Sequence, residues 1–259
     1  MSDLQNNFKK FIRGRRFGFT LAEVLITLGI IGVIAALTIP TLVQNANERA
    51  IVVAVKKVYS ILASAYTLAA QENGTPEQWG ITGANNESGE IMINKIKPYM
   101  NVSKDCSVTG THGCFADGLI YKQLDGADWI LVNNAGKSIL LTDGTGVYAV
   151  ALANCDWPLG SGAFLQAVCG DIVVDVNGFK SPNTLGKDVF LFYLTKYGIV
   201  PQGSQLETNT KFIGSCLTSS GGFGNGWGCT AWVLDRENLD YVKCPTILKA
   251  GWTGPMHCN

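Results

Sequence analysis

Charge is scarce in this chain. Lys, Arg, Asp and Glu make up 15% of its 259 residues, 20 basic against 20 acidic. There are only two histidines, His112 and His257, and no cysteine before Cys106. No G-x-S-x-G, no H-E-x-x-H and no glycine-rich phosphate loop occurs. None of the eight cysteines lies in a C-x-x-C. Each absence removes a class of function. Without a clustered basic footprint, nucleic acid is disfavoured as a partner. Two isolated histidines and no C-x-x-C make a disulfide framework the better reading of the cysteines than zinc. A hydrolase would have to work from one unsupported histidine, so the chain does not read as an enzyme.

What is present begins with a long apolar run. From Phe19 to Ile39 the only charge is Glu23. As a helix, this stretch spans about 31 Å, the thickness of a bilayer core. Ahead of it lie Lys9, Lys10, Arg13, Arg15 and Arg16 against Asp3, a net +4 that leaves −4 on the residues from Phe19 onward. The basic side predicts a cytoplasmic N-terminus and an exported C-terminus. A plain single-pass anchor has the same hydropathy, and so does a secretory signal cut near Ala35-Ala36. Neither needs Glu23. A carboxylate inside a bilayer costs on the order of 2 to 3 kcal/mol unless paired, so it calls for a partner.

The helical pattern also outlasts the membrane. Beyond Pro40, apolar residues recur at Val43, Ala46, Ala50, Ala54, Val58, Ile61, Ala65 and Leu68, the spacing of one helical face. Asn73-Gly74 is a stop signal. One helix is therefore expected from about Phe19 to Asn73, apolar all round to residue 39 and amphipathic over 41–73. Pro40 removes a backbone donor and should kink the helix or mark a place where it melts. Gly29, Gly32 and Ala36 either admit a close helical neighbour or merely thin a lipid-facing surface.

The segment Gly18-Phe19-Thr20-Leu21-Ala22-Glu23, behind Arg15-Arg16 and ahead of the apolar run, resembles the processing site of type IV pilins and type II secretion pseudopilins. The resemblance covers roughly residues 8 to 70. It implies that a prepilin peptidase cuts after Gly18 and that the new N-terminal Phe19 is methylated. Glu23 then falls fifth, where the family places its glutamate, and Pro40 twenty-second, where the family often has a proline. The resemblance further implies that Glu23 pairs with the Phe19 amine of a neighbouring subunit. It implies an inner-membrane assembly platform as partner, other pilin subunits packed through their N-terminal helices, and lipid before assembly. The domains follow as a leader 1–18, a helix 19–73 and an exported globular part 74–259. A minor pilin fits the large, cysteine-rich exported part. A pseudopilin of a secretion or competence system shares the same leader.

In that exported part, Ser88 reads as the cap of a short helix ending near Pro98. Strand signals follow at Leu119–Tyr121, Trp129–Val132, Ser138–Leu141 and Val147–Ala151. Asn134-Ala135-Gly136 and Asp143-Gly144-Thr145-Gly146 stand as turns between the last three. This reads as an antiparallel meander, with a second pair of strands at 171–176 and 188–194. The fold class expected is α+β: a pilin-like long helix on an antiparallel sheet, with disulfide-rich C-terminal loops. Past Pro201 the chain is loop-rich, with a glycine-rich segment 219–228 and a short helix over Arg236–Lys243. Eight cysteines allow 105 pairings. Nearest-neighbour pairing would join Cys106 to Cys114, Cys155 to Cys169, Cys216 to Cys229 and Cys244 to Cys258. Asp175, Asn177, Asn183 and Asp188 are oxygen donors of the kind calcium takes, but their spacing is not an EF-hand loop. Asx turns and a strand-end carboxylate explain the same residues without metal. No other cofactor is expected.

Overall fold

The computed structural model describes residues 18–106, 113–116, 121–129, 136–152, 154–217 and 224–258. The basic leader to Phe17, His112, Leu119-Ile120, Ile130–Val132, Asn134-Ala135 and the glycine-rich residues up to Phe223 lie outside them. Helix α1 runs from Leu21 to Asn73. By internal contacts the chain divides into two units, one ending at Ala46 and one from Asn47 to Asn259.

In the first unit, every described side chain is exposed except half-buried Ala35. Leu25, Ile26, Ile31, Val33 and Ile34 all stand bare. A helix apolar on all sides has no core to bury against and needs lipid or other helices. It is long and apolar enough to cross a membrane. A Cβ added at Gly29 or Gly32 would meet nothing within 4 Å, so no contact within the chain requires glycine there. Helix α1 continues through Pro40. Around it, Thr38 Oγ1 donates to Ile34 O at 2.9 Å and Thr41 Oγ1 to Thr38 O at 2.8 Å.

In the second unit, α1 buries Val52, Val55, Val58, Leu62, Ala65, Tyr66 and Ala69. This corrects the expected stripe. Val58 and Ala65 belong to it, Ala54 and Ile61 are half-buried, and Val43, Ala46, Ala50 and Leu68 are exposed. Burial follows the face turned to the sheet and not side-chain size: Ala65 and Ala69 are fully buried, while Val53 and Leu68 are exposed. Tyr59 stacks on Phe192 at 5.9 Å, and the Tyr66 hydroxyl donates to Lys196 O at 2.5 Å. The helix stops at Asn73, with Gly74 at φ +75°, a left-handed conformation that suits glycine after a helix end.

Helix α2, Asn86–Ile96, is capped by Asn85 rather than Ser88. Asn85 Oδ1 accepts the Ser88 N–H at 2.8 Å, which places Ser88 three residues inside the cap. Buried Ser88 instead accepts the Thr82 N–H through Oγ at 3.0 Å. Pro98 falls in a short 3-10 turn, Lys97–Tyr99, that closes the helix.

Six antiparallel strands form the main sheet, in the order β1-β4-β5-β6-β7-β8. They are β1 (Val102–Asp105), β4 (Gly136–Leu141), β5 (Gly146–Ala151), β6 (Val168–Asp175), β7 (Val189–Thr195) and β8 (Gly198–Pro201). Strands β2 (Tyr121–Lys122) and β3 (Asp128–Trp129) pair separately. The expected meander is thus divided. Its last two strands pair as β4 and β5 and continue into β6 and β7, so the supposed second pair belongs to the same sheet. Of the earlier two, only Tyr121 and Trp129 are described, and they pair in a separate hairpin around Asp125-Gly126, where the Ala127 N–H bonds to Asp125 Oδ1 at 3.0 Å.

Strands β6 and β7 are buried along their whole length. Ile172, Val174, Phe190, Phe192 and Leu194 join the core that includes α1 and α2. Val173, Val189 and Leu191 point the other way, to Phe115, Tyr121 and Tyr148. This is the alternation of a sheet covered on both faces. Helices α3 (Thr230–Arg236) and α4 (Asp240–Lys243) replace the single helix expected over 236–243. Glu237 at φ +57° ends α3 and separates the two. Four disulfides join Cys106 to Cys114, Cys155 to Cys169, Cys216 to Cys229 and Cys244 to Cys258.

Candidate functional site

At the head of α1, Gly18 and Phe19 precede the helix, and Phe19 is 87% exposed. A Cβ on Gly18 would meet nothing within 4 Å, so the fold leaves that glycine unexplained. Thr20 occupies the cap position, and its carbonyl accepts the Val24 N–H at 3.2 Å. Glu23 Oε2 accepts the Thr20 N–H at 2.8 Å and the Thr20 hydroxyl at 2.9 Å. Thr20 Oγ1 in turn accepts the Glu23 N–H at 3.2 Å. This reciprocal arrangement is a capping box, and it satisfies two of the backbone donors that a helix start leaves open. Thr20-Leu21-Ala22-Glu23 is itself a T-x-x-E helix-start signature, so the cap was legible in the sequence beside Glu23. Glu23 therefore has a task inside its own chain, and its charge sits where the helix dipole favours an anion.

The four calcium candidates do come together. Asp175 ends β6 and Asp188 immediately precedes β7, with Asn177 and Asn183 on the crossing between them. Tyr121 OH donates to Asp175 Oδ2 at 2.8 Å. The Asn177 N–H reaches Asp175 Oδ1 at 3.2 Å, and its side-chain Nδ2 reaches Asp188 Oδ2 at 3.1 Å. Asp188 also accepts the Asn183 N–H at 2.8 Å and the Thr184 N–H at 2.6 Å. Burial, set partly against the Tyr121 hydrogen bond, pushes Asp175 up to about 7, and the charge of Asp188 adds to the rise. Burial raises Asp188 as well.

A second buried acid group was not anticipated. Asp171 on β6 accepts from Gln202 Nε2 at 2.7 Å. Burial pushes it up to about 7, opposed by Gln202 and reinforced by Glu207. Glu207, also raised by burial, accepts the Gly203 and Ser204 N–H groups at 2.8 and 2.7 Å and the Thr210 hydroxyl. Period-two alternation gives no signal for it, because Asp171 lies in a strand buried on both faces.

His257 Nδ1 lies 3.3 Å from Asp240 Oδ2 and 3.4 Å from Asn238 Nδ2. Among the described residues no group of three or more His, Cys, Asp or Glu side chains gathers in one place.

Set against known families, residues 13–39 match the model described as the prokaryotic N-terminal methylation motif. No curated protein and no solved structure matches the chain. The chain thus carries the signature of type IV pilins and pseudopilins. That signature marks structural pilins rather than enzymes. The match stops within the first unit and takes in nothing of Asn47–Asn259.

Proposed function

We propose that this chain is a structural subunit, a minor pilin, of a type IV pilus or related filament. A prepilin peptidase cuts after Gly18 and the Phe19 amine is methylated. Before assembly the subunit sits in the inner membrane with its N-terminus cytoplasmic. At the assembly platform it leaves lipid and packs its α1 against the α1 of other subunits. The observation that carries this reading is the methylation motif running into an apolar helix whose side chains up to Ala46 are exposed, Ala35 alone being half-buried. The size of the second unit and its four disulfides favour a specialised subunit over the bulk one. A pseudopilin shares the leader, and subunit abundance separates the two roles: a few copies in purified filaments for a minor pilin, presence in a secretion or competence filament for a pseudopilin.

The test is direct. Coexpressed with a prepilin peptidase, the chain yields a mature mass beginning at methylated Phe19. Gly18→Leu keeps the leader. The uncut chain stays out of filaments, because burying the charged leader among apolar helices is prohibitive. A mature mass starting elsewhere overturns the assignment.

A further inference from the structure

Asp171 and Glu207 are both buried, and among the described residues neither takes part in an ion pair. Glu207 is well held by dipoles. Its Oε1 accepts two backbone N–H groups, and its Oε2 accepts the hydroxyls of Thr210 and Tyr193. Asp171 accepts on Oδ1 from Gln202 Nε2 at 2.7 Å. The oxygen of that same amide, Gln202 Oε1, is buried without a hydrogen-bond donor, on a residue with no exposed surface. Buried polar groups in native proteins are ordinarily satisfied, so the bare oxygen needs an explanation. An amide that gives its N–H to a carboxyl group and leaves its own oxygen bare is half of a reciprocal pair. The missing half is an O–H on the acid. In the sheet Asp171 stands between Val150 of β5 and Tyr193 of β7. The titratable groups that act on it are Tyr193 and Glu207, and neither is a cation.

We propose that Asp171 is held as the neutral acid, its hydroxyl donating to Gln202 Oε1, and that this doubly bonded pair is a proton-operated pin on the segment that follows β8. Loss of the proton to solvent removes the O–H donor. It also sets a carboxylate oxygen against the amide oxygen and adds a second negative charge near Glu207. A water donating to Gln202 Oε1 would satisfy the amide alone. It would leave Asp171 charged, buried and without a cation, which is the costly arrangement. Burial pushes Asp171 up to about 7, opposed by Gln202 and reinforced by Glu207. A raised carboxyl keeps its proton in mildly acid conditions, so the pin is closed there and opens as pH rises through 7.

Gln202 is a junction. Its N–H donates to Leu191 O at 3.1 Å and its carbonyl accepts the Ala231 N–H at 2.8 Å, so it ties β7 to the first turn of α3. The carbonyl of the next residue, Gly203, accepts the Phe212 N–H at 3.2 Å and Trp252 Nε1 at 3.3 Å. Beyond it, Ser204, Gln205 and Leu206 line an open cleft of about 590 Å³ together with Tyr59 and Trp252. Opening the pin therefore loosens the segment 202–212, the C-terminal turn Ile247–Thr253 that carries Trp252, and with them the wall of the cleft. The device lies within the second unit and does not depend on the filament reading.

The test uses the full chain in detergent. Hydrogen exchange read by mass spectrometry at pH 5 and pH 8, corrected for the intrinsic pH dependence of exchange, should show peptides covering 202–212 and 247–253 less protected at pH 8. The loss should be about tenfold or more, as linkage requires of a proton held to about 7 in the closed state and released on opening. Peptides of α2 should keep their protection. Asp171→Asn replaces the hydroxyl with a permanent N–H donor, so it should stay protected at both pH values. An infrared band of a protonated carboxyl should fade in the parent over the same interval, and the part belonging to Asp171 should be missing from the variant. Unchanged exchange in the parent overturns the proposal, as does a loss in Asp171→Asn equal to that of the parent. An equal loss in α2 also overturns it, because the effect would then belong to the whole unit. A parent band no stronger than that of the variant at pH 5 would mean that Asp171 carries no proton, and ends the idea without reference to exchange.

Discussion

Glu23 has two competing claims on its carboxylate. In the single chain it completes a capping box with Thr20. In a filament its charge would answer the Phe19 amine of a neighbour. Glutamine separates the two claims, because a capping box accepts Gln at the same place while the charge is lost. Glu23→Ala should be cleaved normally and fail to enter filaments. Glu23→Gln should fail as badly if the charge governs register, since a misdocked or unpaired buried ion is what penalises wrong assembly. Recovery of wild-type incorporation by Glu23→Gln would assign the residue to the cap instead. Thr20→Ala should cost about 1 kcal/mol of helix stability without touching the charge. Incorporation is read by immunoblot of sheared filaments, and cleavage by mass.

The buried acids make a second residue-scale prediction. Asp171 and Asp175 titrate near 7 in the folded chain against a reference of 3.8, so the native state holds more protons than the unfolded state between about pH 4 and 7. Their stabilisation is complete below the unfolded value and is lost as pH rises through 7. Asp105 and Asp143 are shifted downward and act oppositely, but their window lies below about pH 4. The melting temperature should therefore fall between pH 5 and pH 8, by roughly 2–4 °C per kcal/mol for a unit of this size. Asp171→Asn should flatten the slope while keeping a partner for Gln202. A melting temperature that rises over this interval would refute the assignment.

At the scale of elements, α1 is the most legible part of the chain, and also where legibility has a limit. Its existence, its end at Asn73 and its change of character after residue 40 follow from local chemistry. Which face it buries does not, because Val52, Val53, Val55 and Val58 surround the axis and only the sheet chooses among them. The same limit explains the strands. β4 to β7 carry their own apolar runs and were readable. β1, Val-Ser-Lys-Asp, has no apolar alternation and is a strand only because β4 offers it a partner. The oxygen cluster was legible as a list of donors. The buried pair of Asp171 and Glu207 was not, since it needs residues 36 apart in sequence to meet inside the fold. The face of α1 can be checked by truncation. Leu62→Ala, at a fully buried position, should cost about 2–5 kcal/mol. Leu68→Ala, on the stripe drawn from sequence but 45% exposed, should stay within about 0.5 kcal/mol. Denaturant melts of the two variants decide the matter, and equal losses would restore the first stripe.

At the scale of the whole molecule, two kinds of constraint act on two stretches of chain. On the proposed reading the first unit fits a peptidase, a bilayer and its own copies, and it is the first unit that carries the shared motif. The second unit lies outside that motif, and four disulfides tie its chain together. Each closes a short loop and contributes about 2–4 kcal/mol if unstrained. Burial predicts the order in which they open, because a thiolate must reach sulfur before exchange can begin. Cys216 and Cys229 are fully buried, whereas Cys244 and Cys258 are both half-buried near the C-terminal end. Reduction at the last pair needs only local fraying, while reduction at Cys216–Cys229 needs the core around Phe212 and Trp232 to open. Under limiting dithiothreitol, with timed alkylation and peptide mass mapping, Cys244–Cys258 should be labelled first and Cys216–Cys229 last. Simultaneous labelling of all four pairs would mean that the second unit opens only as a whole, and that local burial does not govern its disulfides.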